Sequence, residues 1–165
     1  MKKVKDTVQK ILSVRWSWEK ERMDDLLGRI GAFPAEDSDS PKQEKIFTDT
    51  DCSHINAVYD CDFRGPLVSF PLASAEVYDL DESVRDEIIS EFDEKFEAVV
   101  EEIKSLLGEP DYEGPASGSD IAEGQFADSL ACWLREDGRL MVQMGQQDTE
   151  LPLEIAIVMA APRKK

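Results

Sequence analysis

Residues 81–110 read DESVRDEIISEFDEKFEAVVEEIKSLLGEP, and this stretch decides the fold class. Its apolar residues step by four and three over six turns, which is the spacing of one face of an α-helix. These residues are Val84, Ile88, Phe92, Phe96, Val99, Ile103 and Leu107. Asp81 or Ser83 is the predicted N-cap, and Gly108 and Pro110 mark the end. The sequence therefore predicts a long amphipathic helix here.

The same region carries most of the negative charge of the chain. Between Glu76 and Glu113 there are 15 acidic and three basic residues, a net −12 out of −17. Like charges at i,i+4 destabilise a helix by about 0.2–0.5 kcal/mol per pair, so such a field indicates either a binding face for a basic partner or a solubilising surface. We expect the binding face, carried by the outer helix residues Glu87, Glu91, Glu94 and Glu101, with Asp60, Asp62 and the segment Tyr112–Gln125 as further participants.

The first 30 residues predict helix. One apolar stripe consists of Val4, Val8, Ile11 and Leu12, and a second consists of Trp18, Met23, Leu26, Leu27 and Ile30. The phase changes around residues 14–17, and Ser17 is a candidate N-cap, so the segment is either one long helix or two short ones. The residues from Ala35 to Lys45, rich in Asp, Ser and Pro, predict a solvated loop.

Alternation of apolar and polar residues predicts strands on both sides of the long helix. Three strands precede it, near residues 46–48, 55–59 and 67–73, and three follow it, at Phe126–Arg135, Arg139–Gly145 and Leu153–Ala160. Pro71 has no amide N–H, so its strand lies at an edge or contains a bulge. The segment Tyr112–Gln125, with three Gly, one Pro and two Ser, predicts a mobile loop that buries little.

These elements predict one domain spanning residues 1–165. The order is helix, three strands, helix, three strands, which indicates an α+β fold with a mixed or antiparallel sheet and helices packed on one face.

The chain offers few residues for catalysis or metal binding. His54 is the only histidine. A zinc site with Cys52 and Cys61 would need Asp60 or Asp62 as fourth ligand, and no Cys-x-x-Cys spacing is present. We therefore expect that the protein is not an enzyme and binds no cofactor. The sequence leaves open the roles of His54 and of the three cysteines, Cys52, Cys61 and Cys132.

Composition narrows the class of partner and the compartment. A net charge of −17 repels phosphate backbones and anionic lipid, which argues against nucleic-acid and membrane-surface binding. The longest apolar run, residues 155–161, is far shorter than the roughly 20 residues of a membrane span. An odd number of cysteines favours a reducing, cytoplasmic environment.

Two passages resemble immunity proteins of bacterial toxin–immunity systems. The first is Val14-Arg15-Trp16-Ser17-Trp18 leading to Leu26-Leu27-Gly28, and the second is Leu106-Leu107-Gly108-Glu109-Pro110 followed by Trp133, Gly138-Arg139-Leu140 and the last apolar strand. The resemblance implies a small acidic cytoplasmic protein that binds and neutralises a cognate toxin, often a nuclease with a basic active site. It transfers no catalytic residue and no contact position.

The element order is also similar to that of type III secretion chaperones, which bind an extended effector segment and are usually dimers. The chain departs from that pattern at residues 153–160, which predict a strand where the chaperones have a helix. The sequence leaves the oligomeric state open.

Overall fold

The computed structural model describes residues 2–34, 44–49, 54–59, 66–118, 120–122, 125, 127–146 and 150–162, which form an α+β fold. The helices are α1 (Lys2–Leu12), α2 (Lys20–Arg29) and α3 (Glu82–Leu107). The strands are β1 (Phe33–Pro34), β2 (Glu44–Thr48), β3 (His54–Val58), β4 (Leu67–Ala75), β5 (Tyr112–Gly114), β6 (Ser129–Arg135), β7 (Gly138–Gly145) and β8 (Leu153–Ala160). Two 3-10 turns, Ala116–Gly118 and Asp120–Ala122, follow β5.

The described strands form one antiparallel eight-stranded sheet in the order β1-β2-β3-β4-β8-β7-β6-β5. Each half is a meander of four consecutive strands, and the halves join where β4 pairs with β8, from Leu67 opposite Ala160 to Ala75 opposite Leu153. The register shifts between Pro71 and Ala73. A bulge therefore accommodates Pro71 inside the sheet, which is one of the two placements that its missing N–H allows.

The element order differs from the predicted one in its details. The amino-terminal region forms two helices, and α2 begins at Lys20 rather than directly after Ser17. Each half of the sheet has a fourth strand, β1 or β5, of only two or three residues, which is too short for alternation to reveal. Glu44 and Lys45, both predicted as loop, lie in β2, where they pair with Val58 and Ala57 of the neighbouring strand. The remainder of that predicted loop, residues 35–43, lies outside the described residues.

The two central strands contribute to two separate hydrophobic clusters. In β7, Val142 belongs to the first cluster and Met141 to the second; in β8, Ile157 and Val158 are divided in the same way. Successive side chains of a strand point to opposite faces of a sheet. Both faces of β7 and β8 are consequently covered, which explains their nearly continuous runs of buried residues.

The first cluster contains the buried side chains of all three helices. Val4, Val8 and Ile11 of α1, Met23, Leu26 and Leu27 of α2, and Phe92, Phe96, Val99, Val100 and Ile103 of α3 belong to it. Trp133 of β6 also lies there, 4% exposed, and its indole N–H donates to the carbonyl of Gly108 at 2.9 Å. Burial of these apolar side chains is the main force that holds the helices to the sheet.

The turn between α1 and α2 is fixed to the β6–β7 hairpin by its two tryptophans. The backbone N–H of Trp16 donates to the Asp137 carboxylate at 2.9 Å, and the indole N–H of Trp18 donates to the Asp137 carbonyl at 2.8 Å. The two indoles stack with centroids 5.6 Å apart. A Cβ on Gly138 would lie 2.5 Å from the Ala160 carbonyl oxygen, so this close approach requires glycine.

Strand β5 and the segment after it pack against the second hydrophobic cluster. Tyr112, Ala116 and Ile121 lie against strand residues that include Met141. Gln125 is buried and accepts a hydrogen bond from the Gln143 amide at 2.7 Å. The prediction that residues 112–125 bury little agrees with the described part of this segment, where Gln125 is the one buried side chain. The apolar residues of the segment nevertheless pack, half-buried, against the second face of the sheet.

Candidate protein-binding surface on the acidic helix

Helix α3 has one buried face and one face of exposed glutamates. Its buried residues begin at Phe92, and the helix contacts α1 and β7. At 100° per residue, Glu87, Glu94 and Glu101 project from the side opposite this buried face, and Glu91 lies close beside them. All four predicted site residues are exposed, as the amphipathic pattern of α3 requires.

The amino-terminal part of α3 extends beyond the hydrophobic core. Residues 82–87 are all exposed, and Ile88 and Ile89 are only half-buried. Val84, predicted on the inner stripe, is 43% exposed. The apolar spacing of the helix continues as far as Val84, but no described side chain of the core packs against this residue. The prediction that Val84 lies on the buried face was therefore wrong.

The carboxylates at the two ends of α3 differ in their partners. Within the described part of the chain, Glu87, Glu91 and Glu94 have no cationic nitrogen within 4.0 Å, whereas Glu101 pairs with Lys104 at 3.3 Å. Lys104 also lies 3.5 Å from Glu113 and 3.7 Å from Glu109. Its hydrogen bond with Glu101 is the largest cause that raises the pKa of Lys104, and the other two carboxylates add to it.

The unpaired negative charge is therefore concentrated before and along the first half of α3. Residues 76–94, which we call the acidic arm, contain nine acidic residues and one basic residue, a net −8. The one basic residue is Arg85. Lys95 follows directly after the acidic arm, and its ammonium lies 5.3 Å from the centroid of the Phe92 ring. Because the single charge of Lys104 offsets part of the negative charge near the helix end, Glu101 contributes less to the field than the other three glutamates do.

Exposed apolar side chains accompany the charge on the acidic arm. Tyr78 is 59% exposed, Leu80 39% and Val84 43%. Val84 lies one turn before Glu87 and two turns before Glu91, on the same side of the helix. Sequence reasoning missed these three residues, because Tyr78 and Leu80 follow a strand and Val84 continues the apolar stripe. The signal that distinguishes them is their position among acidic residues, before the first bulky aromatic of the helix.

The remaining candidate residues do not join this surface. Asp60 and Asp62 lie outside the described residues, as do Cys52 and Cys61. His54 is exposed at the start of β3. Cys132 is fully buried in the second hydrophobic cluster, and burial raises the pKa of its thiol to about 12, so the nucleophilic thiolate is absent near neutral pH.

Two further features of the described residues bear on the class of site. No group of three or more His, Cys, Asp or Glu side chains among them is arranged to hold a metal ion. None of the helices in this part of the chain has both the length and the hydropathy of a membrane span.

Comparison with known proteins identifies no relative. No protein-family model matches the chain, and no curated protein or solved structure is significantly similar to it. The geometry and charge of the acidic arm are therefore the basis for a functional assignment.

Proposed function

We propose that this chain binds and neutralises a basic protein, and that it is the immunity protein of a bacterial toxin. The observation that carries the proposal is the acidic arm, where three exposed glutamates without ion-pair partners in the described structure lie beside exposed apolar side chains. The mechanism is occlusion: the bound protein covers the basic active surface of the toxin. The resemblance of two sequence passages to immunity proteins favours a toxin as the partner.

The charge supports fast and selective association. A net −8 over 19 consecutive residues creates a strong local field, and such fields raise association rates by about 10- to 1000-fold for an oppositely charged partner. The same field disfavours nucleic acid and anionic membranes as partners. Glu87, Glu91 and Glu94 carry this steering role, because no cation among the described residues pairs with them.

The exposed apolar residues supply the short-range part of the interaction. Interface energy is concentrated in a few buried aromatic and apolar anchors, whereas rim charges mainly set the association rate. Tyr78 has the largest exposed apolar surface on the acidic arm, and Val84 lies on the same side of α3 as Glu87. Truncation of Tyr78 to alanine is thus expected to raise the dissociation rate about tenfold or more.

The protein acts as a binding protein rather than as an enzyme in this proposal, without a cofactor, in the reducing cytoplasm. The cytoplasmic placement is supported by the odd number of cysteines in the sequence and by the buried free thiol of Cys132. The secretion-chaperone alternative receives less support. Residues 153–160 form β8, which lies in the middle of the sheet, where the chaperone pattern has a helix at the dimer interface.

The first test is co-expression with the product of the adjacent gene. Size-exclusion chromatography with light scattering should show a 1:1 complex, and the partner should be a basic protein that kills cells when it is expressed alone. A dimer of this chain that holds a secreted, non-toxic neighbour would instead support the chaperone function.

The second test measures binding kinetics with two variants of equal charge change. Glu87, Glu91 and Glu94 are replaced by Lys in one, and the control replaces the exposed residues Asp6, Glu21 and Asp128 by Lys. We expect the first variant to lower the association rate about tenfold or more at low salt and to weaken its salt dependence, with a smaller effect of the control. Equal effects of the two variants would show that net charge alone matters and that α3 is not the binding face.

A further inference from the structure

A groove lined by three arginines lies along α2, and we call it the arginine groove. Its cationic side chains contrast with the carboxylates of the acidic arm. The volume of the groove is about 540 Å³. Arg22 and Arg29 line it from α2, and Arg15 lines it from the turn between α1 and α2. The acidic arm proposed to bind a basic protein contributes no residue to this arginine groove.

The three guanidinium groups are available to a ligand. Arg22 lies 3.3 Å from Glu19, and Arg15 lies 3.5 Å from Glu136, and all four side chains are at least two-thirds exposed. Exposed ion pairs of this kind contribute little and exchange readily with a stronger anion. Arg29 has no ion-pair partner among the residues that the structure describes.

The floor of the arginine groove is apolar and held in place. Trp16 and Leu26 line it, and each is 5% exposed. The Trp16 backbone N–H is bonded to Asp137, and its indole N–H donates to the Ile11 carbonyl at 2.9 Å. The groove is therefore formed before any ligand arrives, which reduces the entropic cost of binding.

We propose that the arginine groove binds a small organic phosphate that has two anionic centres and an apolar or aromatic group. Guanidinium groups bind phosphate oxygens through paired, charge-assisted hydrogen bonds, which a lysine ammonium does not match. Arg22 and Arg29 are two turns apart, about 10 Å along the helix axis, so their long side chains approach one diphosphate group from opposite ends. The volume lies within the range of about 300–1,000 Å³ that is usual for small-molecule sites.

The apolar floor and one carboxylate define the rest of the ligand. Trp16 and Leu26, each 5% exposed, offer a small apolar contact to a ring, and Asp25, which also lines the groove, accepts a hydrogen bond from a ligand hydroxyl or amine. Inorganic diphosphate should therefore bind through its charge alone, whereas ADP, which adds a ribose and an aromatic ring, should bind more tightly.

Titration calorimetry of the full chain with ADP and with inorganic diphosphate tests this proposal. We expect saturable binding of both, with ADP tighter, and a Kd at least tenfold higher for the double variant Arg22→Gln/Arg29→Gln. The control is Lys3→Gln/Lys5→Gln, which removes two exposed cations of α1 outside the groove and should leave both Kd values unchanged. Since Arg22 and Arg29 are exposed, circular dichroism should show that the double variant folds normally.

Three results would overturn the proposal in whole or in part. One is the absence of saturable binding of either probe at concentrations up to about 10 mM, where even ligands of millimolar affinity are detected. A second is an equal loss of binding in the groove variant and in Lys3→Gln/Lys5→Gln, which would show a general charge effect. Equal affinity for ADP and diphosphate would show that the apolar floor contributes nothing to binding, and it would overturn the organic part of the proposed ligand.

Discussion

Replacement of Phe96 by alanine, with Val84→Ala as its matched control, separates the buried part of α3 from the part that extends beyond the core. The sequence places both residues on the same apolar stripe, but Phe96 is 7% exposed in the first hydrophobic cluster and Val84 is 43% exposed. A buried Phe→Ala substitution costs about 3–5 kcal/mol of unfolding free energy, from lost burial and from the cavity left behind. For a chain of 165 residues, this corresponds to a fall in Tm of about 6–20 °C.

Val84→Ala should behave differently. The substitution removes little buried surface, and alanine has the higher helix propensity, so we expect a change within about 0.5 kcal/mol in either direction. Urea unfolding, followed by far-UV circular dichroism and by tryptophan fluorescence, measures both variants, with m-values equal to that of the wild type. A loss below about 1 kcal/mol for Phe96→Ala, or equal losses for the two variants, would refute this placement of α3.

Three further predictions concern the hairpin that holds the Trp16 turn and the buried thiol. Asp137→Ala should cost about 1–3 kcal/mol in urea unfolding, because the Trp16 N–H loses its acceptor, and an unchanged midpoint would show that water replaces the carboxylate. Gly138→Ala should cost about 1–3 kcal/mol or more by the same measurement, because the added Cβ meets the Ala160 carbonyl at 2.5 Å; wild-type stability would contradict the close packing. Burial raises the pKa of Cys132 to about 12, so the unfolded chain releases this proton first and stability should fall between about pH 9 and 12. Cys132→Ala should show a shallower fall in urea midpoint over that range, and an identical pH dependence would place the thiol in contact with solvent.

The candidate site was only partly predictable from the sequence. The exposure of Glu87, Glu91 and Glu94 follows from helical periodicity, because these residues lie opposite the apolar stripe. The ion pairs of the glutamates do not follow from periodicity. Lys104 is three residues from Glu101 in sequence, but Glu109 and Glu113 reach Lys104 only because the chain turns back after Gly108. Periodicity alone therefore could not show which glutamates keep their charge unpaired.

The arginine groove was not predictable at all. Arg22 and Arg29 share one side of α2 by their spacing, but Arg15 joins them only because Asp137, from a distant hairpin, holds the Trp16 turn in place. A contact across more than 100 residues leaves no local pattern in the sequence.

The sequence by itself determined the long helix, the six main strands and the α+β class, because periodicities of 3.6 and two are local properties of the chain. The tertiary structure decided where that helix leaves the core, that Pro71 lies in an interior strand, and that the Gly-rich segment after β5 covers the second face of the sheet. These outcomes depend on which surfaces meet, since an apolar side chain is buried only where another element covers it. The acidic arm depends on both the sequence and the tertiary structure. Its charge follows from the amino-acid composition of residues 76–94, and its exposure results from the fold.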